Sequence, residues 1–162
     1  MKILVLSDSH SALSFMRLCI DGVKPDAVIH LGDYYDDGSA MAEEYPHLRF
    51  FQVPGNCDRY RGAFGTPETL VEKVCGVPLM MTHGHRQGVK QGLGRLIRDA
   101  HVTAVQGVLF GHTHSAYCAF EDDLWVVNPG SCGYFGGSAA VLEVADGKIS
   151  DCRIIRQSDL GD

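Results

Sequence analysis

An α/β sandwich is the fold class expected of this chain. Short apolar runs alternate with amphipathic stretches in the first half, several of those runs stop abruptly at a polar turn, and the second half carries apolar runs with little helical spacing between them. With 162 residues the chain has the size of one domain and enough length to enclose one core, so residues 1–162 are expected to form a single unit. No internal repeat, Pro/Ser-rich linker or run of like charge marks a boundary.

Each element follows from local chemistry. Lys2 to Leu6 is an aliphatic run suited to a strand buried on both faces, and it ends at Ser7-Asp8. Ser11 is placed to cap a helix bearing Leu13, Met16 and Ile20 on one face, with Gly22 to end it and Pro25 to stop its continuation. A strand over Ala27 to Leu31 ends in Gly32-Asp33, a short helix runs from Ser39 to Tyr45, and a strand over Phe50 to Val53 ends in Pro54-Gly55-Asn56. Glu68 to Val74 and Pro78 to Thr82 read as a hairpin around Gly76, and a helix is expected over Leu93 to Ala100. Gly107 to Phe110 is a brief strand stopping at Gly111-His112. Tyr117 to Phe120, Leu124 to Asn128, Ala139 to Val144 and Lys148 to Ile155 complete a β-rich second half.

Charge and cysteine usage exclude several classes. With 14 Lys plus Arg against 20 Asp plus Glu the formal charge is −6, so no general attraction to nucleic-acid backbones is expected. The N-terminal apolar run is too short for a signal-peptide core and no stretch reaches membrane-spanning length, so a cytoplasmic location away from the membrane is expected. The six cysteines, at 19, 57, 75, 118, 132 and 152, form no C-x-x-C pair, so neither a disulfide framework nor a zinc ribbon is indicated and most are expected to be reduced core residues.

The eight histidines are unevenly spread. Three clusters stand out: Asp8-Ser9-His10, His83-Gly84-His85 and His112-Thr113-His114. In open α/β sheets ligands bind at the carboxyl ends of strands, and the polar turns at Asp8, Asp33, Asn56, His83 and His112 each follow an apolar strand. The metal-competent groups at these turns are Asp8, His10, Asp33, Asn56, His83, His112 and His114, which is too many for one ion. Two ions sharing Asp33 would each receive four protein ligands, with room for a bridging hydroxide and for substrate oxygens. Two dications, two carboxylates and one hydroxide leave a site of about +1, which suits a phosphate anion, and hydrolysis of a phosphate ester by the bridging hydroxide is the leading reaction.

Mixed nitrogen and oxygen ligation without thiolates makes manganese the first expectation, with iron, zinc, nickel and cobalt open. Asp33, Asn56 and His83 are the catalytic candidates, and Cys57, Asp58 and His85 are pocket candidates. His85 could equally orient His83 or be a plain loop residue. His47 and His101 read as surface or helix-end residues, and His30 as a residue that packs or hydrogen-bonds at its strand end.

The ordered set Asp8-x-His10, Gly32-Asp33, Gly55-Asn56-Cys57-Asp58, His83-Gly84-His85 and Gly111-His112-Thr113-His114, with Asn128-Pro129-Gly130-Ser131 late in the chain, resembles the calcineurin-like metallophosphoesterase superfamily. It is most similar to the superfamily's small YfcE-type phosphodiesterases. The resemblance implies a four-layer α/β/β/α sandwich. It also implies that Asp8, His10, Asp33 and His114 hold one ion while Asp33, Asn56, His83 and His112 hold the other. One departure matters: many members have histidine after the motif's asparagine, where it can protonate the leaving group, and this chain has Cys57. A phosphodiesterase acting on a small ester is therefore expected ahead of a phosphomonoesterase or protein phosphatase. A non-catalytic interaction scaffold like the retromer subunit that the family resembles is the alternative of a different class. The resemblance leaves a homo-oligomer open.

Overall fold

The computed structural model describes residues 1–58 and 65–161. Its strands are β1 (Lys2–Leu6), β2 (Ala27–His30), β3 (Arg49–Gln52), β4 (Thr69–Val74), β5 (Val77–Thr82), β6 (Gly107–Leu109), β7 (Tyr117–Glu121), β8 (Leu124–Asn128), β9 (Ser138–Ala145) and β10 (Lys148–Arg156). Among the described residues the helices are α1 (Leu13–Val23), α2 (Tyr35–Glu44) and α3 (Gly94–Val102), and none of them is long and apolar enough to cross a membrane.

Two five-stranded sheets form, in the orders β10-β9-β1-β2-β3 and β4-β5-β6-β8-β7. Because successive side chains on a strand point to opposite faces, the apolar runs sort residue by residue into layers. Ile3 and Val5 of β1, Ile29 of β2, Leu79 and Met81 of β5, Leu109 of β6 and Leu142 of β9 fill the space between the sheets. Their neighbours Leu4, Leu6, Val28 and Val141 face Met16, Ile20 and Met41 of α1 and α2. On the other outer face Met80, Val108 and Val126 meet Leu96 and Ala100 of α3. The result is the expected four-layer α/β/β/α sandwich.

β1, β2 and β3 are parallel, as are β5, β6 and β8, so the carboxyl ends of these strands lie along one edge of each sheet. The antiparallel hairpins close with paired left-handed residues at Cys75-Gly76, Asp122-Asp123 and Asp146-Gly147, the backbone that two-residue turns require.

Three local expectations are corrected. Ser11 does not cap α1: Ala12 holds the N-cap position without a side-chain bond, and the Ser11 N–H donates to the Asp37 carboxylate at 2.7 Å. Gly22 lies inside α1, which ends instead at Lys24 in the left-handed conformation with its N–H on the Ile20 carbonyl. The second helix begins at Tyr35, not Ser39, because the remote Asp58 carboxylate accepts the N–H groups of Tyr34 and Tyr35 at 2.9 and 2.8 Å.

The cysteine expectation is corrected in part. Cys118 on β7 and Cys152 on β10 are bonded across a separation of 34 residues, joining an edge strand of one sheet to an edge strand of the other. Cys19, Cys57, Cys75 and Cys132 are free. Without reductant, thiol titration of the denatured chain should therefore count four thiols, and peptide mapping should recover a Cys118–Cys152 cross-link. Six free thiols under those conditions would show that the sheets close without this bond.

Candidate metal centre

The loops after β1, β2, β5 and β6 converge on a buried polar cluster. After β1, the Asp8 carboxylate is fully buried, and its Oδ2 accepts the Ser7 hydroxyl at 2.6 Å and the His112 N–H at 3.1 Å. Those two bonds leave Oδ1 facing inward, 3.1 Å from His114 Nε2 and 3.9 Å from His83 Nε2. After β2, Asp33 Oδ1 accepts the Cys57 N–H at 2.9 Å, and its Oδ2 lies 3.5 Å from His83 Nε2. Burial opposes ionisation of Asp33, yet the His83 imidazole and the Cys57 N–H outweigh it and hold its pKa below the ordinary carboxylate value.

His83 itself is fully buried, and its Nδ1 lies 2.8 Å from the Leu31 carbonyl oxygen. A carbonyl only accepts, so Nδ1 carries a proton and Nε2 is the nitrogen turned to the cluster, where it offers its lone pair once a metal ion displaces any proton it holds. Nε2 of His83 points between two carboxylates without a hydrogen-bond partner, and the buried His10 Nε2 likewise has no hydrogen-bond partner among the described residues. An unmatched buried polar atom costs about 1–3 kcal/mol, and the Asp8 and Asp33 carboxylates crowded around it repel one another. A cation among these atoms removes both penalties, so the donor set fits the divalent ions implied by its chemistry.

Two groups of ligand atoms come within 4.8 Å of one another: Asp8, His10 and His114, and Asp8, Asp33 and His83. Asp8 is common to both, whereas Asp33, expected as the shared ligand, belongs to the second group only. The His112 ring lies beside His83 with centroids 5.0 Å apart. Burial, then His83 and Lys90, push the His112 pKa down to about 4, so its imidazole is neutral near pH 7 and free to donate a lone pair. Asn56 stands exposed at the head of a short 3-10 turn, next to Cys57, whose N–H reaches Asp33.

The pocket candidates separate. Cys57 is exposed at the cleft, and burial of its thiol followed by the Asp33 charge raises its pKa to about 11, so it stays protonated near neutrality. His85 is half-buried, with ring centroids 5.4 Å from His83 and 6.1 Å from His112, and its Nε2 is 3.8 Å from the Glu68 carboxylate. Asp58 does not line the cleft. It is fully buried, and its carboxylate accepts the N–H groups of Gly55, Tyr34 and Tyr35, which ties the Asn56 turn to the Asp33 loop.

Backbone geometry shows how firmly the loops are held. Asp8, His10, Asp33, His112 and His114 all have positive φ, between 44° and 71°, at a cost on the order of 1 kcal/mol each that only a surrounding network can sustain. The His30 ring accepts the Gly32 N–H on Nδ1 and so donates from Nε2 to the Ser9 hydroxyl, which in turn donates to Asp37. Asn128 Nδ2 donates to the Gly111 carbonyl and the Thr113 hydroxyl, and the Ser131 hydroxyl donates to the Asp8 carbonyl at 2.7 Å. Backbone close approach matters as well: a Cβ on Gly111 would overlap the Ser7 hydroxyl and stand 2.7 Å from Asp8 Oδ2, and one on Gly55 would overlap the Asp33 carboxylate.

Asp37, Asn128 and Tyr134 take part here although sequence reasoning gave none of them a role at the site. Tyr134 stacks on His114 with centroids 5.0 Å apart at 15° and meets His10 edge-on at 4.9 Å. The late Asn128-Pro129-Gly130-Ser131 motif was the available signal for the loop that carries it.

The profile of the Calcineurin-like phosphoesterase superfamily domain matches residues 1–147. The chain belongs to this superfamily. Among its relatives, "Probable metallophosphoesterase YsnB" of Bacillus subtilis is 30% identical over 134 residues, covering 81% of this chain and 75% of the relative. Phosphodiesterase MJ0936 of Methanocaldococcus jannaschii is 29% identical over 152 residues, covering 85% and 88%. The fold is also that of Vacuolar Protein Sorting 29 from Cryptosporidium parvum, with a TM-score of 0.71 at 15% identity over 96% of this chain and 98% of that one, a likeness of fold alone.

Gly111→Ala should lower stability by about 1–3 kcal/mol in thermal unfolding with chelator present, because its methyl group displaces the Ser7–Asp8 pair. Calorimetric titration should show weaker divalent-ion binding in the same variant. Native stability together with native affinity would mean that Asp8 is not held by close backbone approach.

Proposed function

We propose that the chain is a metal-dependent phosphodiesterase that hydrolyses a small phosphate ester at a site for two divalent ions, manganese first among them. The observation that carries this reading is the His83 ring, held by the Leu31 carbonyl so that Nε2 is directed between Asp8 and Asp33, where a divalent ion can take three protein ligands at once. Asp8, His10 and His114 would hold one ion. Asp33, Asn56, His83 and His112 would hold the other, with Asp8 within reach of both. Ions held there would supply Lewis-acid polarisation of a phosphoryl oxygen and acidification of a coordinated water.

The chain's own groups do the remaining work. Ser7 and the His112 N–H fix one oxygen of Asp8, the Leu31 carbonyl fixes the tautomer of His83, and burial of Asp8, Asp33 and His83 lowers the local dielectric so that charge interactions with a phosphoryl group are strong. Cys57, at the position where many members carry histidine, is a weaker proton donor. That difference favours esters whose alcohol leaves readily, in keeping with diester over alkyl monoester substrates, and the relative from Methanocaldococcus jannaschii is named a phosphodiesterase.

The chain stripped with chelator should be inactive on bis-p-nitrophenyl phosphate and regain turnover with manganese. Asp33→Asn or His112→Ala should lower kcat/KM by roughly 100-fold or more while the fold is kept. Full activity in both variants would overturn the ligand assignment. Ion binding without turnover of any mono- or diester would favour the interaction-scaffold reading.

Cys57→His should raise kcat for alkyl esters by roughly tenfold or more and change that for aryl esters little, measured across a leaving-group series. An unchanged dependence on leaving-group pKa would remove this position from leaving-group assistance.

A further inference from the structure

We propose that the pocket beside His114 is a nucleobase site, so that the ester cleaved at the centre is a nucleotide-type diester. The proposal rests on the phosphodiesterase reading of the adjoining centre. The pocket measures about 280 Å³ and is walled by His114, Ser115, Tyr134, Phe135, Ser138 and Arg156. Ligand pockets for drug-sized molecules begin near roughly 300 Å³, so this one takes a single ring system and not a peptide.

Its walls are aromatic and firmly mounted. Phe135 is 82% exposed and Tyr134 47% exposed, two neighbouring rings turned to solvent where burial would ordinarily be favoured. They are held there by the backbone. Gly133 N–H and Tyr134 N–H donate to the Ser131 hydroxyl, and Cys132 N–H and Gly133 N–H donate to the carbonyls of Ser7 and Asp8. Phe135 has a φ of 55°, between a Tyr134 that stacks on His114 and a Gly136-Gly137 pair also at positive φ. The loop that presents the rings is thus bonded to the backbone that presents Asp8, so the ring site and the metal centre keep a fixed relation. Exposed aromatic faces on a backbone held in this way are the platforms on which bases stack, at about 1–3 kcal/mol per base.

Polarity favours a nucleobase over a plain hydrocarbon ring. Arg156 lines the pocket, its guanidinium enters none of the ion pairs among the described residues, and no carboxylate lines the pocket although the chain carries a net charge of −6. Its N–H groups suit the acceptor edge of a purine, of which guanine O6 and N7 are the best match. The rings would hold the face of the base while Arg156 reads its edge, leaving the phosphate at the neighbouring metal ligands.

The test uses guanosine 5′-monophosphate and ribose 5-phosphate, titrated by NMR into the chain with chelator present so that turnover does not intervene. The expected result is a Kd for the nucleotide about tenfold lower than for the sugar phosphate. In Phe135→Ala the ratio should fall towards one, and in Arg156→Ala it should fall in the same direction. Both side chains are exposed, so thermal unfolding of each variant should match the native chain. Equal affinities in the native chain, or a ratio untouched by Phe135→Ala, would overturn the base site. If the preference is present but the manganese-loaded chain cleaves no ester, the hydrolase reading falls and the base site stands. Cleavage of bis-p-nitrophenyl phosphate without any preference has the opposite meaning.

Discussion

The bond between His83 and the Leu31 carbonyl is where the architecture and the chemistry of this chain coincide. Leu31 directly follows β2 of the first sheet and His83 directly follows β5 of the second, so the bond pins the sheets together within the polar cluster. The same bond fixes the proton on Nδ1 and leaves the other nitrogen unmatched between Asp8 and Asp33. A sandwich built for stability alone would place apolar side chains there, since two carboxylates and an imidazole buried together subtract from folding free energy. Ion binding reverses that sign. Any ion that binds only the folded chain adds RT ln(1 + [L]/Kd), about 2.7 kcal/mol at a hundredfold excess over Kd. Metal affinity and fold stability are accordingly one linked quantity in this protein.

The remainder of the structure is organised to sustain that local disadvantage. Five positive-φ candidate ligands stay in place because the turns around them are bonded to something rigid. Asp37 holds the backbone of Ser11 and the hydroxyl of Ser9, Asp58 gathers three N–H groups from two loops, Asn128 clamps the loop of His112, and Ser131 clamps that of Asp8. Each anchor is a short polar side chain: Asp37 on α2, Asp58 in the 3-10 turn, Asn128 at the end of β8 and Ser131 shortly after it. Beneath them the apolar residues between the sheets, including Ile3, Val5, Ile29, Leu79, Met81 and Leu109, form the stiff base that makes the anchors effective.

What the sequence made legible follows the range over which each feature is decided. Strands and candidate ligands are local: an apolar run ending in Asp8 or His112 already states that a metal-competent group sits at a strand end. The layering of β1 was not legible in the same way, because Ile3 and Val5 are as apolar as Leu4 and Leu6 and only the second sheet distinguishes the two faces. Helix starts misled for the same reason. Tyr35 begins α2 because Asp58, more than twenty residues away, accepts its N–H, and nothing near Ser39 could reveal that. Cys118 and Cys152 become partners only when two edge strands meet. Asp58 looked like a pocket residue because it stands two positions after Asn56, yet the 3-10 turn sends its carboxylate inward.

Topology also separates what is constrained at the site from what is adjustable. The ligands after β1, β2, β5 and β6 are bound to the strand ends, and a change of position there would move a strand. Two further segments pass from one sheet to the other. One leaves β3 carrying Asn56 to Asp58, and the other leaves β8 carrying Ser131 to Gly137 before entering β9. Both cross beside the cluster, the first bonding to Asp33 through Cys57 N–H and the second to Asp8 through Ser131 and Gly133. Each therefore has one face committed to the metal centre and another open to solvent. Cys57, Tyr134 and Phe135 all lie on these crossings, so the leaving-group and base contacts proposed for them can change without moving a strand end that carries a candidate ligand. In this fold most of the candidate metal ligands are set by the sheets, and on the proposed reading selectivity falls to the chain that runs between them.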